Sequence, residues 1–160
     1  MSLCSTNKKR RGWLAFALIA GLLPFPCLAQ DITEVTPLSF GEIALSSYNN
    51  VARITITGAG SVSHNSYVYL ITQPTRGEYT VTSAPASAAY TITLPLSVNV
   101  QGPGGVYFIL DNFQVSPALH VTDASGEDTF YIGARLQTQG GGVNYMDGNY
   151  DGVVTVTLAF

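Results

Sequence analysis

The sequence predicts an all-β fold, an antiparallel β-sandwich, and three observations carry that expectation. Short apolar-rich segments recur at roughly 8–12-residue spacing with turn signals between them, the pattern of sandwiches and barrels. Beyond the first 29 residues no stretch shows the 3.6-residue apolar period of an amphipathic helix. The stretch Tyr145–Phe160 (YMDGNYDGVVTVTLAF) runs from a turn rich in Asp, Asn and Gly into a two-faced strand. Tyr150, Val154, Val156, Leu158 and Phe160 share one face, and Asp151, Thr155 and Thr157 the other. A strand in a sandwich needs a partner along each edge, and no residue follows Phe160 to supply one, so the pattern predicts a sandwich whose closing strand comes from elsewhere.

Met1–Ala29 stands apart from the fold. Lys8, Lys9, Arg10 and Arg11 form a basic head, Trp13–Leu23 an apolar run, and Cys27-Leu28-Ala29 a small-residue cleavage site, which together read as a secretory signal peptide. The apolar run falls short of the roughly 20 residues that span a bilayer, and Pro24 and Pro26 interrupt it. Export is therefore expected, to the periplasm, the cell surface or the medium, with no membrane span in the mature chain. Removing 29 residues from 160 leaves 131, one domain with enough chain to bury its own core.

The exported chain keeps only Arg53, Arg76 and Arg135 against ten carboxylates, a formal balance of −7. Three scattered arginines make no basic patch, which excludes nucleic acid as a partner. Both cysteines, Cys4 and Cys27, lie in the signal, so no disulfide is available, and the absence of lysine after Lys9 excludes lysine–asparagine isopeptide staples.

In chain order, Leu38–Leu45 is a first strand interrupted by Gly41, which marks a bulge or close backbone approach. Val51–Thr57 alternates, with Ile54 and Ile56 on one face and Arg53, Thr55 and Thr57 on the other, before Gly58-Ala-Gly60 breaks it. Tyr67–Thr72, Glu78–Thr82 and Tyr90–Leu94 follow, separated by Pro74, Gly77 and Ser83–Ala88. Val106–Val115 and Thr129–Leu136 complete the set before the final strand, and Gly140–Gly142 reads as a hairpin loop.

Catalytic and metal-binding patterns are sparse, which points away from an enzyme and from any cofactor. His64 and His120 are the only histidines and lie in no His-Glu-x-x-His spacing; the simpler reading of each is a loop or strand residue satisfied by solvent or backbone. Gly60-Ser61 lacks the Gly-x-Ser-x-Gly elbow of serine hydrolases. Glu127-Asp128 reads as a pair of solvated loop acids. Asp147, Asn149 and Asp151 place oxygen donors at alternate positions, like the first half of a calcium loop, but Leu158 occupies the twelfth position, where a bidentate Glu belongs. A turn in which Asn and Asp tolerate left-handed backbone explains the same letters.

Four blocks in order carry a resemblance: Leu38-Ser-Phe-Gly41, Tyr90-Thr-Ile-Thr-Leu-Pro95, Phe130-Tyr-Ile-Gly-Ala134 and Gly148-Asn-Tyr-Asp-Gly-Val-Val-Thr-Val-Thr157. The chain resembles a bacterial secreted domain family of unknown function, DUF4402, which is similar to the pilin-like subunits of the spore coat U and common-pilus type. That resemblance implies an immunoglobulin-like sandwich lacking its last strand, delivered by a periplasmic chaperone and an outer-membrane usher and completed by a strand donated from the chaperone and then from the next pilin-like subunit. Tyr150, Val154, Val156, Leu158 and Phe160 would line the acceptor groove. The donor extension of such subunits is reduced here to Gln30–Leu38, with Ile32, Val35 and Leu38 as its apolar residues; Glu34 interrupts the apolar row and Pro37 removes a ladder hydrogen bond. Two function classes follow. One is a fimbria-like structural subunit completed by a donated strand; the other is a stand-alone secreted module binding carbohydrate or protein, for which nine tyrosines offer contact surface.

Overall fold

The computed structural model describes residues 30–160, so the predicted signal peptide lies outside the described residues. Twelve strands follow one another: β1 (Asp31–Thr36), β2 (Ile43–Leu45), β3 (Arg53–Ile56), β4 (Val62–His64), β5 (Val68–Leu70), β6 (Gly77–Thr82), β7 (Ala89–Thr93), β8 (Ser97–Gln101), β9 (Tyr107–Ser116), β10 (His120–Val121), β11 (Asp128–Gln137) and β12 (Thr157–Ala159). Among the described residues one 3-10 turn, Pro103–Gly105, interrupts them. The chain is all-β, its strands antiparallel, as the spacing predicted.

The centre of the fold is β11, whose alternate residues Phe130, Ile132, Ala134 and Leu136 are buried. Along one edge it pairs with β9. Along the other it pairs first with β6, through Asp128–Ile132, and then with β3, through Arg135–Gln137. The change of neighbour falls at Gly133, where a side chain would run into the carbonyl of Ile56 and the backbone of Thr57 and Gly58. Glycine is therefore required for two strands to share one edge. Outward from these, β1 adds to β6, β4 to β3 and β8 to β9, giving a seven-stranded sheet.

A second layer, in the order β10-β7-β12, faces the β6 end of this sheet, and a separate β2-β5 ribbon packs against β3 through Ile43, Leu45 and Val68. The core has three parts. Val81, Tyr90, Phe130 and Ile132 anchor the one between the two layers, onto which Ile32, Ile92, Val156 and Leu158 pack; Phe108, Leu110, Leu136 and Tyr145 anchor the second, which Leu38, Tyr150 and Val154 join; Ala52, Ile54 and Val68 anchor the third. Tyr79 stacks on Phe130 at 5.4 Å, and Phe108 lies 4.6 Å from Tyr145. Burial of these rings together with Ile54, Ile56, Ile132 and Val81 drives the packing of the layers.

Most predicted strands form, with shifted ends. Leu38–Leu45 does not form one strand: Ser39 makes a single bridge to Thr75, Gly41 adopts φ +68°, and only Ile43–Leu45 continues as β2. Four short strands, β1, β4, β8 and β10, were not among those expected. Each lies at the end of a sheet order or pairs along one edge, where two to six residues suffice.

Candidate functional site

The final stretch is not the continuous strand its alternation predicted. Asp151 pairs with Gln101 at the end of β8, each amide donating to the other's carbonyl at 2.8 Å. The chain then leaves that sheet, and Thr157–Ala159 pairs with Thr93–Thr91 of β7 in the other layer. Gly152–Val156 crosses between them and belongs to no strand. Because its two ends pair with different layers, one unbroken ladder is impossible here.

The faces nevertheless fall as the alternation placed them. Val154, Val156 and Leu158 are half-buried against the core, while Val153 is 84% exposed and Thr155 and Thr157 face solvent. Tyr150 meets Phe108 edge-on at 4.8 Å, and its hydroxyl donates to the Met146 carbonyl at 2.9 Å. Phe160 stacks on Tyr90 at 5.0 Å yet remains 42% exposed.

The edges of this layer can be assigned from the ladder. Thr122 donates its amide to the Ala88 carbonyl, so Ala88, and by the two-residue repeat Tyr90 and Ile92, turn their backbone groups toward β10. Thr91 and Thr93 turn theirs toward β12, whose Ala159 and Thr157 face back. Leu158 and its even-numbered neighbours point away, and among the described residues nothing pairs with that outer edge. The edge strand of the facing sheet is β1, whose far side is also unpaired among the described residues. Ile32 from β1, Leu158 from β12 and the adjoining Val156 pack against one core cluster, so both open edges border the same apolar interior.

The segment weighed as a donor strand lies in its own domain. Asp31–Thr36 pairs with β6, with a register shift between Glu34 and Thr36. That bulge leaves Val35 as the extra residue, 55% exposed, while Ile32 and Leu38 pack inward. Glu34 sits opposite Tyr79, and burial together with that carboxylate pushes the Tyr79 hydroxyl up to about 12.

Asp147 and Asn149 lie in an exposed bend, with Gly148 against Pro103, and Asp151, also exposed, is held in the bridge to Gln101. Among the described residues no three His, Cys, Asp or Glu side chains converge as metal ligands would.

Two simple readings are overturned. His120 is not satisfied by solvent or backbone: it is buried in β10, its Nδ1 has no hydrogen-bond partner among the described residues, and that nitrogen stands 3.8 Å from Asp128 Oδ2. Asp128 is no solvated loop acid either; it opens β11, and its Oδ2 accepts the Tyr90 hydroxyl at 2.7 Å. Burial, with that carboxylate, raises the Tyr90 hydroxyl well above its ordinary range. Sequence reasoning missed the cluster because β10 is only two residues long, too short for a periodicity to register. His64, by contrast, is exposed in β4.

A family model described as "Domain of unknown function (DUF4402)" matches residues 31–160. No curated protein matches the chain, and no solved structure does.

Proposed function

The chain belongs to the domain-of-unknown-function family DUF4402, and we propose that it serves there as a non-enzymatic, fimbria-like structural or surface subunit completed by a donated β-strand. One observation carries the reading: among the described residues the outer edge of β12 is unpaired, and this edge backs onto the apolar core through Leu158 and the adjoining Val156. An edge of this kind invites another chain, because unmet backbone donors and acceptors stand beside apolar surface. The added strand lies along β12, with alternate side chains entering the core beside Val154, Val156 and Leu158 and with Phe160 at its margin. The reading is also supported by the resemblance of the family to spore coat U and common-pilus subunits, under which a periplasmic chaperone and an outer-membrane usher would deliver the chain.

The test is the oligomeric state and thermal unfolding of the purified exported chain, alone and with a synthetic peptide copying Gln30–Phe40. The proposal expects the chain alone to associate or to unfold at modest temperature, and the peptide to raise the midpoint by several degrees. A monomer that unfolds cooperatively at high temperature and ignores the peptide overturns it and favours the stand-alone binding module.

A further inference from the structure

Three loops, 46–52, 102–106 and 138–150, meet at the end of the seven-stranded sheet where β3 and β9 begin and β11 ends. Gly141 and Gly142 donate their amides to the carbonyls of Asn49 and Tyr48, at 3.3 and 3.0 Å, which ties the first loop to the third. Met146 lies against Gly104 and Pro103 against Gly148, which ties the second to the third. Beneath them Tyr145 is buried, its hydroxyl donating to the Tyr107 carbonyl at 3.0 Å and accepting the Gln139 amide at 2.9 Å, and the Tyr150 ring stands 6.2 Å away. Glycine-rich loops fixed to one another and to an aromatic floor hold their side chains in place before any ligand arrives.

What the loops present is chemically narrow. Tyr48 is 42% exposed and Met146 52%, and Asn49, Asp147 and Asn149 are exposed around them. Burial, with Tyr145, Asp147 and Tyr48 nearby, pushes the Tyr150 hydroxyl up, so Tyr48 and Asp147 approach the same point of the floor. The three loops contain no lysine, arginine or histidine, and Asp147 is their one charge. The surface therefore joins an aromatic ring and a thioether to amides that both donate and accept and a carboxylate that accepts.

We propose that these loops form a binding site for a neutral oligosaccharide. A sugar ring carries the matching surface, a face of C–H bonds to lie on Tyr48 and Met146 and a rim of hydroxyls, each donor and acceptor, to meet Asn49, Asp147 and Asn149. An anionic sugar does not fit, because Asp147 repels it and no cation in the loops offsets that charge. A protein partner fits less well, because the exposed residues of the three loops are fewer than the roughly 20–30 per side that a stable protein interface uses. The inference goes beyond the donated strand and does not rest on it, since none of these residues belongs to β12.

Met146 is the sole methionine of the exported chain, so carbon-13 labelling of the methionine methyl group puts a single NMR reporter in the site. The purified exported chain is titrated with maltohexaose, cellohexaose, mannohexaose, chitohexaose and, as the charged counterpart, hexagalacturonate. At least one of the four neutral sugars should shift the Met146 methyl signal saturably at millimolar concentration or below, and hexagalacturonate should not. Tyr48→Ala and Asp147→Ala should each weaken that binding about tenfold, the effect of one lost ring contact or one or two lost hydrogen bonds. Both positions are exposed, so the thermal midpoint should stay where it is. No saturable shift with any neutral sugar, equal or tighter binding of hexagalacturonate, or unchanged affinity in both variants overturns the proposal.

Discussion

The two strands β11 and β12 read alike in sequence and meet different fates. Each alternates apolar with polar or small residues, Phe130, Ile132, Ala134 and Leu136 in one, Val154, Val156, Leu158 and Phe160 in the run that ends in the other. Among the ten residues of β11, Tyr131, Ile132 and Arg135–Gln137 pair along both edges; the three residues of β12 pair along one. Accordingly Ile132, paired on both edges, is buried and Leu158 only half-buried. Alternation decides which face turns inward, whereas the number of flanking strands decides how far inward it goes. The region short of neighbours is also the one with open backbone edges.

Substitutions along the two strands should separate these effects. Phe130→Ala removes a ring buried between the layers and stacked on Tyr79, and should cost about 3–5 kcal/mol in denaturant unfolding. A loss under about 1 kcal/mol would mean that β11 is not the centre of the core. Gly133→Ala forces a methyl group into the backbone of Ile56–Gly58 and should cost about 1–3 kcal/mol. Its effect should spread as raised amide exchange in both β3 and β6, since both meet β11 around this point. Leu158→Ala should cost only about 1–2 kcal/mol in the chain alone, because the site is half open. A cost equal to that of Phe130→Ala would erase the contrast between the strands.

Alkaline titration sharpens the comparison at the β1 edge. The folded Tyr79 hydroxyl titrates near 12, above the ordinary value of 10.0. Its neutral form is thus favoured by folding, and that contribution is complete below about pH 10 and lost as pH rises through about 12. Stability should fall over that window, and Tyr79→Phe should flatten the fall. An unchanged slope in the variant would show that another group governs alkaline unfolding. The smallest effect belongs to the bidentate pair of Arg135 with Asp111, at 2.8 and 2.9 Å, which is partly solvent-exposed. Arg135→Met should change stability by about 1 kcal/mol or less, read from the denaturant midpoint at low and high salt.

Much of the fold is legible in the sequence because its long strands are one-sided. Ile54 and Ile56 in β3, and the apolar residues of β11, declare their buried face through a two-residue repeat. The final stretch is legible in its faces but not in its continuity. The jump from Gln101 to Thr93 as pairing partner lies in the tertiary arrangement, and no local pattern encodes it. The polar cluster is the least legible part. His120, Asp128 and Tyr90 are separated by up to 38 residues and come from three strands; His120 lies on a strand too short to alternate, and Asp128 follows a turn that disguises it as a loop acid. The bulge at Val35 is likewise hidden, because the residue that a register shift leaves over depends on the partner strand.

Amide hydrogen exchange along β12, with and without the added strand, tests the central claim most directly. In the chain alone, Thr157 and Ala159 should be protected by β7 while Leu158 and Phe160 exchange rapidly from the outer edge. Adding the Gln30–Phe40 peptide should slow Leu158 and Phe160 and leave Thr157 and Ala159 little changed. Slow exchange at Leu158 in the isolated monomer, with no response to the peptide, would mean that the outer edge of β12 is already filled and would contradict the account.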